Sequence, residues 1–321
     1  MIRRKQILAA SGGFLTETWR ESGLAGCART ILAAIRMHLP VITLGRRTNA
    51  SVGAYFDLIT RDARMFYGDS FHFGYFRRGD ETFEEALNNH TDIVADMARL
   101  DRAQRVLDIG CGICAPAIRI ANRHNCHITG INISAEQVRQ GRGLVAHHGL
   151  ADRISVVEGS ALDLPFEDAS FDSVLCIEVA GDICVKDAQK SCLMEEIRRV
   201  LKPGGTVGFS DLVFRAAPAR DEERAMRAIL YHDGAELITD WPGLFTAHGF
   251  EVSRCEDIIG QTMKTWDHSL AVYEERAEEV ERRYGRSIAR RTMAHLRMLP
   301  AIMEKYGSFV VMSACSPAAK A

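Results

Sequence analysis

An α/β fold, built on a doubly wound and mostly parallel sheet, is what this 321-residue sequence predicts, and three observations carry the expectation. Short apolar runs of strand length alternate with longer runs of helical period. The first of these strands, Arg105–Ile109, runs straight into a glycine turn, Gly110-Cys111-Gly112, and then into a helix, Ala115–Arg123. A second strand, His127–Ile131, ends at Asn132 just before the helix start Ser134-Ala135-Glu136-Gln137. Alternation of this kind places the strands parallel, because each helix carries the chain back to the edge where the next strand begins.

Each element has its own justification. Val106 and Leu107 suit a strand covered on both faces, and Gly110 and Gly112 let the backbone turn and bring its amides close to a ligand. Ala115 holds the third position of a G-x-G-x-x-G spacing, which tolerates alanine where helix meets strand. Further strands are predicted at Ile154–Glu158, Ser173–Ile177 and Thr206–Asp211, and helices at Ala135–His147 and Lys190–Leu201. Asp221–His232 reads as a helix, and Pro242–His248 as a short helix stopped by Gly249 before the strand Phe250–Arg254. Lys264–Tyr306 is a long charged helical region, predicted to break near Gly285 and Pro300, and Ser308–Ser313 is the last, antiparallel strand.

Upstream of the core, Met1–Arg47 reads as an N-terminal helical extension and Thr48–Gly53 as a linker of small and polar residues. Ala54–Gly79 is dense in aromatics, among them Tyr55, Phe56, Tyr67, Phe71, Phe73 and Tyr75, and Thr82–Leu100 has helical periodicity. The expected organisation is therefore 1–53 extension and linker, 54–100 aromatic lid segment and helix, 101–261 ligand-binding core, 262–306 helical insertion that sets substrate selectivity, and 307–321 last strand and tail.

Composition excludes several classes. A net charge of −2 and a pI near 6.6 give no general basic field for nucleic acid. No stretch reaches the ~20 apolar residues that span a bilayer. Nine scattered cysteines and no convincing signal peptide favour a reducing cytoplasm. Cys111 and Cys114 form a C-x-x-C, but no second pair with zinc spacing follows; no metal is expected, which leaves Cys114 as a candidate lining residue. Cys27–Leu44 is apolar, interrupted by Arg29, Arg36, His38 and Pro40. Its basic residues do not gather on one face, so packing on the domain or on a second copy of the chain (a homodimer) is preferred over peripheral membrane contact.

Asp163-Leu164-Pro165-Phe166, Ser170-Phe171-Asp172-Ser173-Val174 and Arg199-Val200-Leu201-Lys202-Pro203-Gly204-Gly205 follow the glycine turn in that order. Together the four motifs, over roughly Gln104 to Leu212, resemble the class I, Rossmann-like S-adenosylmethionine-dependent methyltransferases. A lone glycine pair would not separate this family from nicotinamide dehydrogenases, but the Leu-Pro-Phe and Leu-Lys-Pro-Gly-Gly segments are not part of that fingerprint. The resemblance implies S-adenosylmethionine as cofactor, with Gly110 and Gly112 under its methionine part and Asp108 orienting the amino-acid end. It places Asn132 at the ribose and Ser160, Ala161 and Leu162 at the adenine, with Ile133 and Gln137 also among the cofactor-binding residues. Asn132 stands where many members carry an acid; an amide still accepts one hydroxyl hydrogen bond and donates another. Ser160 also replaces an acid, which leaves adenine to backbone groups and to Ala161 and Leu162.

A subgroup is indicated by Gly130-Ile131-Asn132-Ile133-Ser134-x-x-Gln137, Cys176-Ile177-Glu178-Val179-Ala180 and Tyr67-Gly68-Asp69-Ser70-Phe71-His72-Phe73. These look like the sterol, tocopherol and prenyl C-methyltransferases, and in part like the cyclopropane fatty acid synthases. The resemblance implies a lipophilic small-molecule acceptor, an isoprenoid or sterol-like alkene methylated at carbon. An alkene is a poor nucleophile, so the site must align it and exclude water; aromatic faces stabilise the resulting carbocation and a base removes a proton. Glu178 is the first candidate base and His72 the second, with Tyr67 in the aromatic wall. The plainer alternatives are a Glu178 that orients the lid through a backbone amide, a packed His72, and aromatics that are simply core. Methylation of oxygen or nitrogen in a natural product is the other chemistry these residues allow. The arginines Arg282, Arg283, Arg286, Arg290 and Arg291 could grip a diphosphate, but Glu278, Glu279 and Glu281 beside them favour a solvated helix face.

Overall fold

The computed structural model describes residues 49–100, 105–184, 186–230 and 238–318. The N-terminal extension, with the membrane contact read for it, lies outside them. Among the described residues the strands form a seven-stranded sheet in the order β3-β2-β1-β4-β5-β7-β6. These are β1 (Arg105–Ile109), β2 (His127–Asn132), β3 (Ile154–Glu158), β4 (Phe171–Ile177), β5 (Leu201–Phe214), β6 (Glu251–Asp257) and β7 (Gly307–Cys315). β1 to β5 pair in parallel, and β7 inserts antiparallel between β5 and β6. The order reverses between β1 and β4, which opens a crevice at the carboxyl ends of these strands, the place where open α/β sheets bind ligands. Val106, Leu107 and Ile109 are fully buried, as a strand covered on both faces requires.

Helices pack on both sides: α1 (Asn49–Tyr67), α2 (Phe83–Met97), α3 (Ala115–Arg123), α4 (Ala135–His147), α5 (Ala180–Ile183) and α6 (Asp187–Val200). They are followed by α7 (Arg220–Leu230), α8 (Trp241–Ala247), α9 (Ile259–Thr262), α10 (Lys264–Glu275), α11 (Ala277–Tyr284) and α12 (Arg286–Tyr306). α2 starts on a reciprocal capping box between Thr82 and Glu85. Gly249, at φ +81°, ends the chain turn after α8 as read from the sequence.

Three expectations are corrected. Asn49–Gly53, read as linker, form the first turns of α1. The stretch reads as loop-like because its residues are small and polar, but at Gly53 small size serves contact: a Cβ there would stand 2.9 Å from the Ile133 carbonyl oxygen. The helical insertion breaks at Arg276 and Gly285 but not at Pro300, which lies inside α12. Proline removes one helical hydrogen bond there, and the buried neighbours Leu299, Ile302 and Met303 hold the helix through it. Finally, β5 extends to Phe214, three residues past the expected end, because β7 pairs with it as far as Gly307.

The face of α1 that carries Gly53, Asp57 and Thr60, spaced four and three apart, docks on the start of α4. Asp57 accepts from the Ser134 hydroxyl (2.5 Å) and from the Glu136 amide (3.0 Å), an acid at a helix N-terminus. The Thr60 hydroxyl accepts from Gln137 at 3.0 Å. α1 thus roofs the crevice beyond β2. No helix among the described residues is long and apolar enough to cross a membrane.

Candidate active site

The glycine turn is shaped by its neighbours. Gly110 has φ +69° and its amide donates to the Ile131 carbonyl at 2.8 Å, tying the turn to the end of β2. A Cβ there would come within 2.3 Å of Val179, so glycine is required by the chain packed on the turn as well as by its conformation. Gly112, at φ +54°, is different: its nearest neighbour to an added Cβ is Phe71, at 3.9 Å. Cys114 does not line the cleft. It is fully buried, 3.8 Å from the Cys111 sulfur, and fills the space that Gly141 leaves.

Gly110, Gly112, Asn132, Ile133, Gln137, Ser160, Ala161 and Leu162 line one cleft, together with Glu178 and Phe71. Asn132 donates to Gln137 (2.7 Å) and accepts from the Ser134 amide (3.0 Å), so its amide is held rigid at the cleft wall. The Ser160 hydroxyl accepts from the Leu162 amide at 3.1 Å and shapes the loop. Arg199 explains the spacing of two motifs: its guanidinium donates to the carbonyls of Leu164 (2.9 Å) and Phe166 (2.7 Å), fixing the Leu-Pro-Phe segment beneath that loop. Asp108 lies behind the wall, 2 % exposed, and its Oδ2 has no hydrogen-bond partner among the described residues. Burial pushes this carboxyl up to about 7.

A second cavity adjoins the first and shares Phe56, Phe71, Gln137, Glu178 and Asp182 with it. Its walls are Tyr55, Ile59, Ala63 and Tyr67 of α1, His72 and Phe73 of the following loop, Asp211 and Leu212 of β5, and Ile229 and Leu230 at the end of α7. Glu178, at φ +52° just past β4, accepts from the Phe73 amide through Oε1 at 2.6 Å. Burial raises its carboxyl well above the usual range; the Phe73 amide opposes this, and Asp211 and Asp182 add to it. Burial raises the Tyr67 phenol as well, against a hydrogen bond to Ser269.

His72 is 4 % exposed, with Nδ1 3.0 Å from the Phe73 carbonyl and Nε2 3.3 Å from the Thr91 hydroxyl. Burial pushes it down to about 4, so it is neutral at physiological pH. Two residues of this region were not singled out from the sequence. His90 of α2 is fully buried edge-on to His72, its ring 4.9 Å away, and is pushed down to about 3 by burial. Two polar residues, His90 and Thr91, on the apolar face of a helix were the available signal. Asp211 accepts from the Gly181 amide (2.7 Å), and burial pushes its carboxyl up to about 8; a strand-end acid gave no periodic signal. His72, His90 and Glu178 also bring one ligand atom each within 4.8 Å of one another, yet every ring nitrogen already has a hydrogen-bonding partner.

The insertion does not reach this cavity: none of its lining residues falls within 262–306. His268, Val272, Glu275 and Arg276 instead border a surface groove on the far side of Tyr67. Arg283 and Arg286 pair with Glu279 and Glu281 on the exposed face, as the charge pattern predicted.

Residues 106–205 match the family model of a methyltransferase domain. The chain is 30% identical over 231 residues to the 27-O-demethylrifamycin SV methyltransferase of Amycolatopsis mediterranei, covering 71% of this chain and 83% of that one. It belongs to the class I S-adenosylmethionine-dependent methyltransferases. To the sterol 24-C-methyltransferase ERG6B of Gibberella zeae it is 34% identical over 210 residues, 64% of this methyltransferase and 54% of the relative. The chain thus spans about half the length of such sterol relatives. The crystal structure of the [4+2]-cyclase SpnF superposes with a TM-score of 0.70 at 27% identity, covering 84% of this chain and 97% of that one.

S-adenosylmethionine is the cofactor of this methyltransferase. The cleft fits it on its own geometry. Asp108 offers an orphaned buried carboxyl, Gly112 leaves open space above the turn, and the rigid Asn132 amide stands one strand away.

Proposed function

We propose that this methyltransferase acts on carbon of a lipophilic alkene of isoprenoid or sterol-like type. The observation that carries the reading is the composition of the second cavity. Its walls combine Tyr55, Phe56, Tyr67, Phe71 and Phe73 with the acids Glu178, Asp182 and Asp211, and its described lining includes no lysine or arginine. Aromatic faces favour a substrate on which positive charge develops, and the apolar walls exclude the water that would trap it.

When bound, S-adenosylmethionine supplies an electrophilic methyl group. In this reading Asp108, Gly110 and Gly112 hold its amino-acid end, Asn132, Ile133 and Gln137 its ribose, and Ser160, Ala161 and Leu162 its adenine. Glu178 lies where the two cavities meet, and its Oε2 is free of partners among the described residues. That oxygen is the one positioned to take the proton that leaves the methylated substrate. Its raised affinity for protons suits a base. Asp211 borders the cavity from β5, and Tyr67 closes the far wall. His72 serves the loop instead: both of its ring nitrogens already have partners, the Phe73 carbonyl and the Thr91 hydroxyl. The sterol 24-C-methyltransferases among the relatives support carbon as the acceptor atom.

The second reading is methylation of a hydroxyl in a natural product. The relative spanned over 83% of its length, named for an O-demethylated rifamycin, favours it. Glu178 would then deprotonate the hydroxyl before transfer. Incubation with methyl-labelled cofactor and matched lipophilic alkenes and alcohols separates the two. Label in alkene products supports the first, and label confined to alcohols overturns it.

A further inference from the structure

We propose that His90 is a positioning residue of the methyl-transfer site: by holding the Phe73 carbonyl it aims the Phe73 amide at Glu178 and keeps the aromatic loop seated on the sheet. The inference rests on the role given to Glu178 above.

The geometry is that of a clamp on one peptide group. The Phe73 amide donates to Glu178 Oε1 at 2.6 Å, and the Phe73 carbonyl lies 2.6 Å from His90 Nδ1. A carbonyl only accepts, so Nδ1 carries the hydrogen, and Nε2 then accepts from the Ser210 hydroxyl at 3.0 Å. His90 Nδ1 is itself only 3.4 Å from Glu178 Oε1. One imidazole from α2 therefore ties together the loop (Phe73), the end of β4 (through Glu178) and β5 (Ser210). His90 lines neither cavity, so it acts through Phe73 and Glu178 and not on substrate. Peptide groups rotate readily in a loop, and a peptide turned away from Glu178 would remove the one backbone donor that stabilises its charged form. The other groups that face Glu178 are His72 from the loop, Tyr67 from α1, Asp211 from β5 and Asp182 from α5.

The test follows Glu178 by carbon-13 resonance in full-length protein labelled at glutamate carboxyls, with S-adenosylhomocysteine added and the signal assigned by its loss in E178Q. His90→Phe removes both ring nitrogens, donor and acceptor alike, and His90→Gln places its amide nitrogen near Nε2, out of reach of Phe73. In both, the Glu178 titration midpoint is expected to move up by about one pH unit, the loss of a backbone donor to the carboxylate. His90→Asn puts an amide N–H where Nδ1 stands and is expected to keep the wild-type midpoint. If His90→Phe does not fold, the Gln and Asn pair carries the comparison. An unmoved midpoint in His90→Gln, or an equal shift in His90→Asn, overturns the proposal. A failed role for Glu178 shows separately, as an E178Q enzyme with undiminished turnover and this titration pattern intact.

Discussion

The Phe73 amide and Glu178 Oε1 stand 2.6 Å apart, so the proposed base also anchors the aromatic loop that walls its cavity. Two substitutions separate these duties. Glu178→Gln keeps an oxygen for the Phe73 amide but loses the base, so kcat should fall by about 10²-fold or more while cofactor affinity changes little. Glu178→Ala loses the anchor too, and cofactor affinity should fall with kcat. Equal affinities in the two variants would break the link between Glu178 and the loop.

Gly110 and Gly112 predict opposite failures. Alanine at Gly110 meets Val179 at 2.3 Å in a left-handed conformation, so stability should drop by about 2–4 kcal/mol in denaturant unfolding. Alanine at Gly112 meets nothing closer than 3.9 Å but points its methyl at the cleft, so the larger loss should be in S-adenosylhomocysteine affinity. Calorimetry of both variants checks this; a Gly112→Ala protein that binds normally would misplace the cofactor.

How much of this was legible in the sequence depended on the range of the interaction. The glycine turn, Asn132 and the Leu-Pro-Phe loop could be read because each is a local backbone requirement. Glu178 was legible for the same reason, as the residue after a buried strand. The clamp on Phe73 was not, because His90, Ser210 and Glu178 meet only through tertiary packing across separations of 17 to 120 residues. Gly53 misled for a related reason: its small size answers to Ile133, 80 positions away, and not to a local turn. Pro300 misled because its helix is held by buried side chains, which outweigh one lost hydrogen bond.

Asp108 should trade stability for binding. Its Oδ2 is buried without a partner, a cost that falls on the cofactor-free protein. Asp108→Asn should therefore raise the cofactor-free Tm above that of the wild type at pH 8, where the carboxyl, pushed up to about 7, is charged. Because the proposed binding mode sets this carboxyl behind the cofactor's amino-acid end, the same change should weaken S-adenosylmethionine binding by about tenfold or more. A variant with lower Tm and unchanged affinity would contradict this account of the buried acid.

His72 gives the protein an acid-sensitive component. Its pKa is depressed from an ordinary 6.5 to about 4 in the folded state. The unfolded chain therefore binds more protons between those values, and stability is lost as pH falls from 6.5 toward 4. His72→Asn removes a titrating group from that window, so its Tm should decline less than the wild-type Tm between pH 6.5 and 4.5. Parallel Tm curves would mean that the imidazole is not buried as neutral.

The most direct test of the central claim is the resonance of the transferred carbon. The enzyme is given cofactor labelled with carbon-13 in its methyl group and a lipophilic isoprenoid alkene that also bears a free hydroxyl. The product spectrum should show the label as a methyl bonded to carbon. A label found only as a methyl ether would contradict the proposal and assign Glu178 to deprotonating oxygen.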